Sequence, residues 1–218
     1  NKYIKNGKNT LVLKIFRWST GSYLECQDFW RLSGIERDVF LYSQPKIAVK
    51  DFRVVSTLDD SYTNGIFKLA VDIRNNAATD KNLQVLYELI DKASGKVVAN
   101  ATESCIVKGE DIQTVTFGAN LPRVKTWTSE GPNLYKMLIS LKEEDKVTEI
   151  VPFNVGFRRI EIKQIGQIAK NGKPYVVLMI NGQPLKLKGV NIHEHNEHTG
   201  HYVTEELMRK DFELMKQH

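Results

Sequence analysis

Leu185-Lys-Leu-Lys-Gly-Val-Asn-Ile-His-Glu-His-Asn-Glu-His198 joins an alternating run to a crowd of polar side chains. Leu185, Leu187 and Val190 alternate with Lys186 and Lys188 until Gly189 interrupts, a pattern that predicts a strand with one buried face. Asn191, His193, Glu194, His195, Asn196, Glu197 and His198 then follow at the strand's carboxyl end, where α/β enzymes, barrels above all, build active sites. All five histidines of the chain lie at or after position 193. A zinc site is the first chemistry such residues suggest, but the segment contains no His-Glu-x-x-His. His193 and His195, two residues apart, would share one face of a strand; that allows a metal pair without specifying one. A solvated polar loop accounts for the same residues.

The 218 residues suggest one or two ordinary domains, and 41% hydrophobic with 26% charged residues is the composition of a globular protein. No apolar run is long enough to span a bilayer, and no signal-peptide layout opens the chain. Starting at Asn1 without Met, the chain reads as an excised piece of a longer protein. The net charge of +5 is spread among interleaved acidic residues, with no basic block, so it reads as solvated surface rather than a nucleic-acid footprint. Cys26 and Cys105 fall in different predicted domains and form no metal-type pair, which predicts a reduced, disulfide-free protein.

Working outward, residues 46–153 read as an all-β domain. Seven runs are predicted as strands: Ile47–Ser56, Phe67–Arg74, Leu83–Asp91, Val97–Glu103, Thr114–Ala119, Leu134–Leu141 and Val147–Phe153. Turn residues separate them, among them Asn64-Gly65, Ser94-Gly95 and Lys108-Gly109. Seven short strands at this spacing suit an immunoglobulin-like β-sandwich. Phe67, Leu69, Val71 and Ile73 share one face. Residues 1–45 hold two predicted strands, Thr10–Trp18 and Arg37–Ser43, around a long loop; they are too few to bury a sandwich core and read as the tail of a larger β-domain. At the other end, Tyr175–Ile180 pairs as a hairpin with Leu185–Gly189 through Asn181-Gly182. Thr204–Gln217 reads as a helix capped by Thr204, with Leu207, Met208, Phe212, Leu214 and Met215 on one face.

Three motifs carry a family resemblance. Gly189-Val-Asn-Ile-His-Glu-His195, preceded by Asn181-Gly-Gln-Pro-Leu185, resembles the first barrel strand of glycoside hydrolase family two, the β-galactosidase and β-glucuronidase family. Gln27-Asp-Phe-Trp-Arg31, with Gly21-Ser-Tyr-Leu-Glu25 before it and Arg37-Asp-Val39 after, resembles the jelly roll of its β-galactosidases. Trp127-Thr-Ser-Glu-Gly-Pro-Asn-Leu-Tyr135 resembles their sandwich motif. The family usually carries Arg where this chain has Ile192, and often Asp where it has Cys26.

The resemblance implies a mainly β chain: residues 1–45 the C-terminal part of a jelly-roll sugar-binding domain, 46–153 the immunoglobulin-like sandwich, and 154–218 the start of a (β/α)8 catalytic barrel. Residues 163–174 then look like a local insertion. The implied activity is retaining hydrolysis of terminal β-galactosides by two glutamates on later barrel strands, so no catalytic residue is assigned here, to Glu194 and Glu197 included. Asp28 is implied as a ligand of a sodium ion and of the galactose 6-hydroxyl; its hard oxygen donors suit such an ion. His193 and Asn191 are implied substrate contacts. Magnesium and homo-oligomerisation are expected of the full-length enzyme, with the magnesium ligands elsewhere. The same residues leave two other readings open, a non-catalytic carbohydrate-binding or adhesion module and a β-glucuronidase or β-mannosidase. The 218 residues alone are expected to be inactive, with ends that are either disordered or packed on each other or on a second chain.

Overall fold

The computed structural model describes residues 3–25, 33–35, 37–168 and 170–218, grouped in two compact units, Asn1–Leu41 with Lys188–His218 and Tyr42–Leu187. Among the described residues no helix is long and apolar enough to cross a membrane.

Tyr42–Leu187 contains all seven predicted sandwich strands: β1 (Ile47–Leu58), β2 (Gly65–Asn75), β3 (Lys81–Asp91), β4 (Val97–Val107), β5 (Ile112–Leu121), β6 (Tyr135–Glu143) and β7 (Lys146–Val155). They form an antiparallel three-stranded sheet, β1-β2-β5, and an antiparallel four-stranded sheet, β4-β3-β6-β7. Period-two alternation builds the core between them. Phe67, Leu69, Val71 and Ile73 from β2 meet Leu83, Val85, Tyr87 and Leu89 from β3 and Met137, Ile139 and Leu141 from β6 in one buried cluster. The Tyr87 ring lies 5.2 Å from Phe67 and 5.1 Å from Phe117. Burying a side chain of this size is worth about 1.5–3 kcal/mol, so this layer dominates the stability of the unit. Cys105, on β4, is a half-buried thiol whose pKa burial raises.

Polar side chains close the turns. Asp59 accepts from Ser61 Oγ at 2.8 Å, Asn64 Nδ2 at 2.8 Å and the Thr63 and Asn64 amides, and these bonds, Ser61 first, hold its pKa down to about 2. Asn75, fully buried, donates to the Thr79 and Val107 carbonyls and accepts from the Ala77 amide, which satisfies a side chain that would otherwise be costly inside. The Trp127–Tyr135 motif seals the end of the sandwich on Phe157. Trp127 N–H donates to the Phe157 carbonyl at 2.8 Å, and the Tyr135 ring meets Phe157 edge-on at 5.3 Å.

A second sheet follows in the same unit: β8 (Ile160–Ile168), β9 (Pro174–Ile180) and the two-residue β10 (Gln183–Pro184), ordered β10-β9-β8. The segment 163–168 belongs to β8 and pairs with β9. The β9–β10 turn has φ +48° at Asn181 and +78° at Gly182, as a two-residue hairpin requires. It is docked on the sandwich. Asn181 accepts from the Arg159 amide at 2.9 Å and donates to the Trp127 carbonyl at 3.0 Å, while a Cβ on Gly182 would lie 2.7 Å from the Tyr62 ring. Tyr62 hydroxyl donates to the Glu161 carboxylate and accepts from Lys163, and Arg159 reaches Asp60 at 2.7 Å.

The Tyr62 hydrogen bond, then Lys163, holds the Glu161 pKa below its usual 4.5. A depressed carboxylate contributes stability that is present above the usual value and lost as pH falls through the lowered one. Tyr62→Phe should therefore lower the melting midpoint at pH 7, and the gap from wild type should narrow as pH falls below the usual 4.5. Thermal melts across that range check it; a gap that widens in acid contradicts it.

Three sequence expectations require correction. Thr10–Trp18 and Arg37–Ser43 have no strand among the described residues, and Thr20–Leu24 within the intervening loop forms a short helix, α1. Leu11, Val12, Leu13 and Phe40 have the apolar character of strand residues but stand exposed, since an apolar run makes a strand only where a neighbour supplies the ladder. Leu185–Gly189 is likewise not a strand. The pairing with β9 ends at Pro184, with one further bond from the Leu185 amide to the Leu178 carbonyl at 2.7 Å, and Leu187 is exposed. The predicted helix is present as α2 (Glu205–Gln217), where the Thr204 side chain accepts from the Leu207 amide at 3.2 Å.

Candidate functional site

The unit formed by Asn1–Leu41 and Lys188–His218 brings the two ends of the chain together. Among its described residues Val203 is buried, while Phe212, Leu214 and Met215 of α2 remain exposed. After Gly189, where an added Cβ would meet nothing within 4 Å, the chain runs without regular structure through Asn191 and His193. Both of these predicted site residues are exposed, and Asp28, the third, lies outside the described residues.

Local polar bonds then shape the segment. His195 Nδ1 lies 3.1 Å from the His193 carbonyl oxygen. Asn196 Oδ1 accepts from the His198 amide at 2.9 Å and the Thr199 amide at 3.2 Å. Asn196 and Gly200 exchange backbone hydrogen bonds of 2.8 and 2.9 Å, a closure that Gly200 permits at φ +68°. Tyr202 carbonyl accepts from the Thr199 hydroxyl, Val203 is buried, and Thr204 starts α2. Glu205 and Glu206 in the first turn favour the positive end of the helix dipole.

The carboxylates beside the loop are engaged. Arg37 Nη2 donates to Glu194 Oε2 at 2.6 Å, and Glu197 Oε1 lies 3.5 Å from His198 Nε2. Retaining glycoside hydrolysis needs two carboxyls about 5–5.5 Å apart, one acid/base and one nucleophile; Glu194 is instead paired with Arg37, and Glu197 lies beside His198. No group of three or more His, Cys, Asp or Glu side chains converges among the described residues. What the loop offers is hydrogen-bonding capacity toward hydroxyl groups: an amide at Asn191 and an imidazole at His193. Sequence patterning misses the Arg37–Glu194 contact, because no periodicity links residues 157 positions apart.

A family model described as "Glycosyl hydrolases family 2" matches residues 47–158, about half of the chain. The sugar binding domain of the same family matches 1–45, and its TIM barrel domain matches 174–218. The chain belongs to glycosyl hydrolase family 2. Over its length it is similar to proteins named β-galactosidase, with 37% identity over 218 residues to that of Priestia megaterium and 40% over 223 to that of Vibrio cholerae. Each alignment covers 99% of this chain and 20% of the relative, so the chain spans about a fifth of the length of these relatives. Among solved structures, a Bacteroides uniformis β-glucuronidase aligns at TM-score 0.75 and 20% identity, covering 88% of this chain and 23% of that one; this likeness concerns the fold.

Proposed function

We propose that this chain is the part of a retaining β-galactosidase that holds the end of the jelly roll, the whole sandwich and the entry to the barrel. The enzyme hydrolyses terminal non-reducing β-D-galactosides. The observation that carries the reading is identity of 34–40% to proteins named β-galactosidase along 97–100% of the chain. In this reading Asn191 and His193 hydrogen-bond the galactosyl hydroxyls, and the imidazole binds most strongly as the ring distorts toward the transition state. Asp28 contributes hard carboxylate oxygens to a sodium ion and to the 6-hydroxyl. The acid/base and nucleophile glutamates and the magnesium ligands lie on other parts of the full-length protein, which works as a homo-oligomer on a sugar substrate, without nucleic acid or membrane. The sandwich is a spacer without chemistry.

Sodium response tests this assignment. In a full-length protein carrying this sequence, nitrophenyl β-galactoside hydrolysis should rise with added sodium. Asp28→Asn should abolish that rise while the melting midpoint of the sandwich, to which Asp28 does not belong, stays within about 2 °C of wild type. A variant activated by sodium as strongly as wild type removes Asp28 from the ion site.

A further inference from the structure

We propose that the Arg37–Glu194 ion pair is a positioning device for the sugar-contacting loop, tying the residue next to His193 to the segment that follows the Asp28 motif. The kinetic part of this inference rests on the β-galactosidase reading. Arg37 Nη2 and Glu194 Oε2 are 2.6 Å apart, a charge-assisted bond between residues separated by 157 positions. Glu194 directly follows His193, and Arg37 stands nine residues after Asp28. The pair thus links the stretch that holds Asn191 and His193 to a segment that follows the Asp28 motif in sequence.

Neither stretch has a backbone ladder to hold it. Residues 37–45 and 185–195 include no strand or helix, and Gly189 lies in open space. Side-chain ties must then set the path of this loop. Consecutive Cα atoms are about 3.8 Å apart across a planar peptide, so fixing Glu194 leaves His193 little freedom to wander. The two side chains are 60% and 54% exposed, and exposed ion pairs contribute little to global stability. The effect of the pair should therefore appear in loop placement and turnover, with hardly any in the melting midpoint. It also gives Glu194 a role that needs no proton transfer, as a positioning residue acting through its neighbour.

Two measurements test the proposal. In the 218-residue chain, Arg37→Gln should shift the backbone amide resonances of Asn191, His193 and Glu194 in a 15N–1H spectrum, although they lie far away in sequence. In a full-length protein, Arg37→Gln and Glu194→Gln should each lower kcat for nitrophenyl β-galactoside by about three- to tenfold, with KM changed less than about twofold. The double variant should be no worse than either single one, and the exchanged pair Arg37→Glu with Glu194→Arg should recover most of the loss. Unmoved amides overturn the tie itself. Moved amides with unchanged kcat, or losses that add and are not rescued by the exchange, overturn the positioning role. A full-length wild type inactive on β-galactosides refutes the functional reading instead, and the amide shifts still decide whether the tie exists.

Discussion

Replacing His193 by alanine in a full-length protein should lower kcat for a β-galactoside by roughly 30- to 1,000-fold, a loss of about 2–4 kcal/mol of transition-state stabilisation. KM should change much less. A hydrogen bond that strengthens only as the galactosyl ring distorts contributes to the transition state more than to the bound substrate, and its removal appears in kcat. The position of His193 favours this role. It is exposed in a segment free of regular structure, directly before Glu194, whose carboxylate pairs with Arg37. Steady-state kinetics of wild type and His193→Ala decide it, and an unchanged kcat removes His193 from the site.

The largest expected stability effect belongs to Phe157→Ala, at about 3–5 kcal/mol. Phe157 is fully buried, its ring meets Tyr135 edge-on at 5.3 Å, and its carbonyl accepts from the Trp127 amide. Packing around it leaves no slack: a Cβ on Gly65 would come within 2.8 Å of the ring and of Val124. Truncation leaves a cavity that the two β-sheets around it are too rigid to collapse into. In a domain whose total stability is about 5–15 kcal/mol, the melting midpoint should fall by about 6–20 °C. Calorimetry on the two proteins measures it. A fall of less than about 3 °C would mean that Phe157 is not the seal at this end of the sandwich.

The parts of the fold legible in the sequence are those set by local periodicity. Phe67 to Ile73 alternate cleanly, turn residues bracket the runs, and the seven sandwich strands follow. Their ends are less legible, because a ladder can carry a strand past its pattern. β4 continues from Glu103 to Val107 because Leu83, Asn82 and Lys81 of β3 pair with Cys105, Ile106 and Val107, although Ile106 remains exposed. The converse also occurs. Thr10–Trp18 is rich in apolar and β-branched residues, yet has no strand among the described residues.

The site divides along the same line. His193 and Asn191 stand out because polar residues crowd one short stretch and because the motif resembles a family. Their supports do not stand out. Glu194 meets Arg37 from 157 positions away; in the other unit, apart from the site, Glu161 likewise meets Tyr62 from 99 positions away. Such pairs depend on the tertiary path of the chain, which neither composition nor period encodes. Gly182 illustrates the point: the sequence marks a turn at Asn181-Gly182, but only the packed Tyr62 ring explains why that turn has no room for a side chain.

Substrate preference of a full-length protein carrying this chain tests the proposed role in β-galactoside hydrolysis most directly. A site built to hydrogen-bond particular hydroxyls discriminates strongly against sugars that present them differently. The ratio of kcat/KM for nitrophenyl β-galactoside to that for the β-glucuronide and the β-mannoside should be at least about 100. A ratio below one for either competitor, or no turnover of any of the three, would contradict a β-galactosidase role.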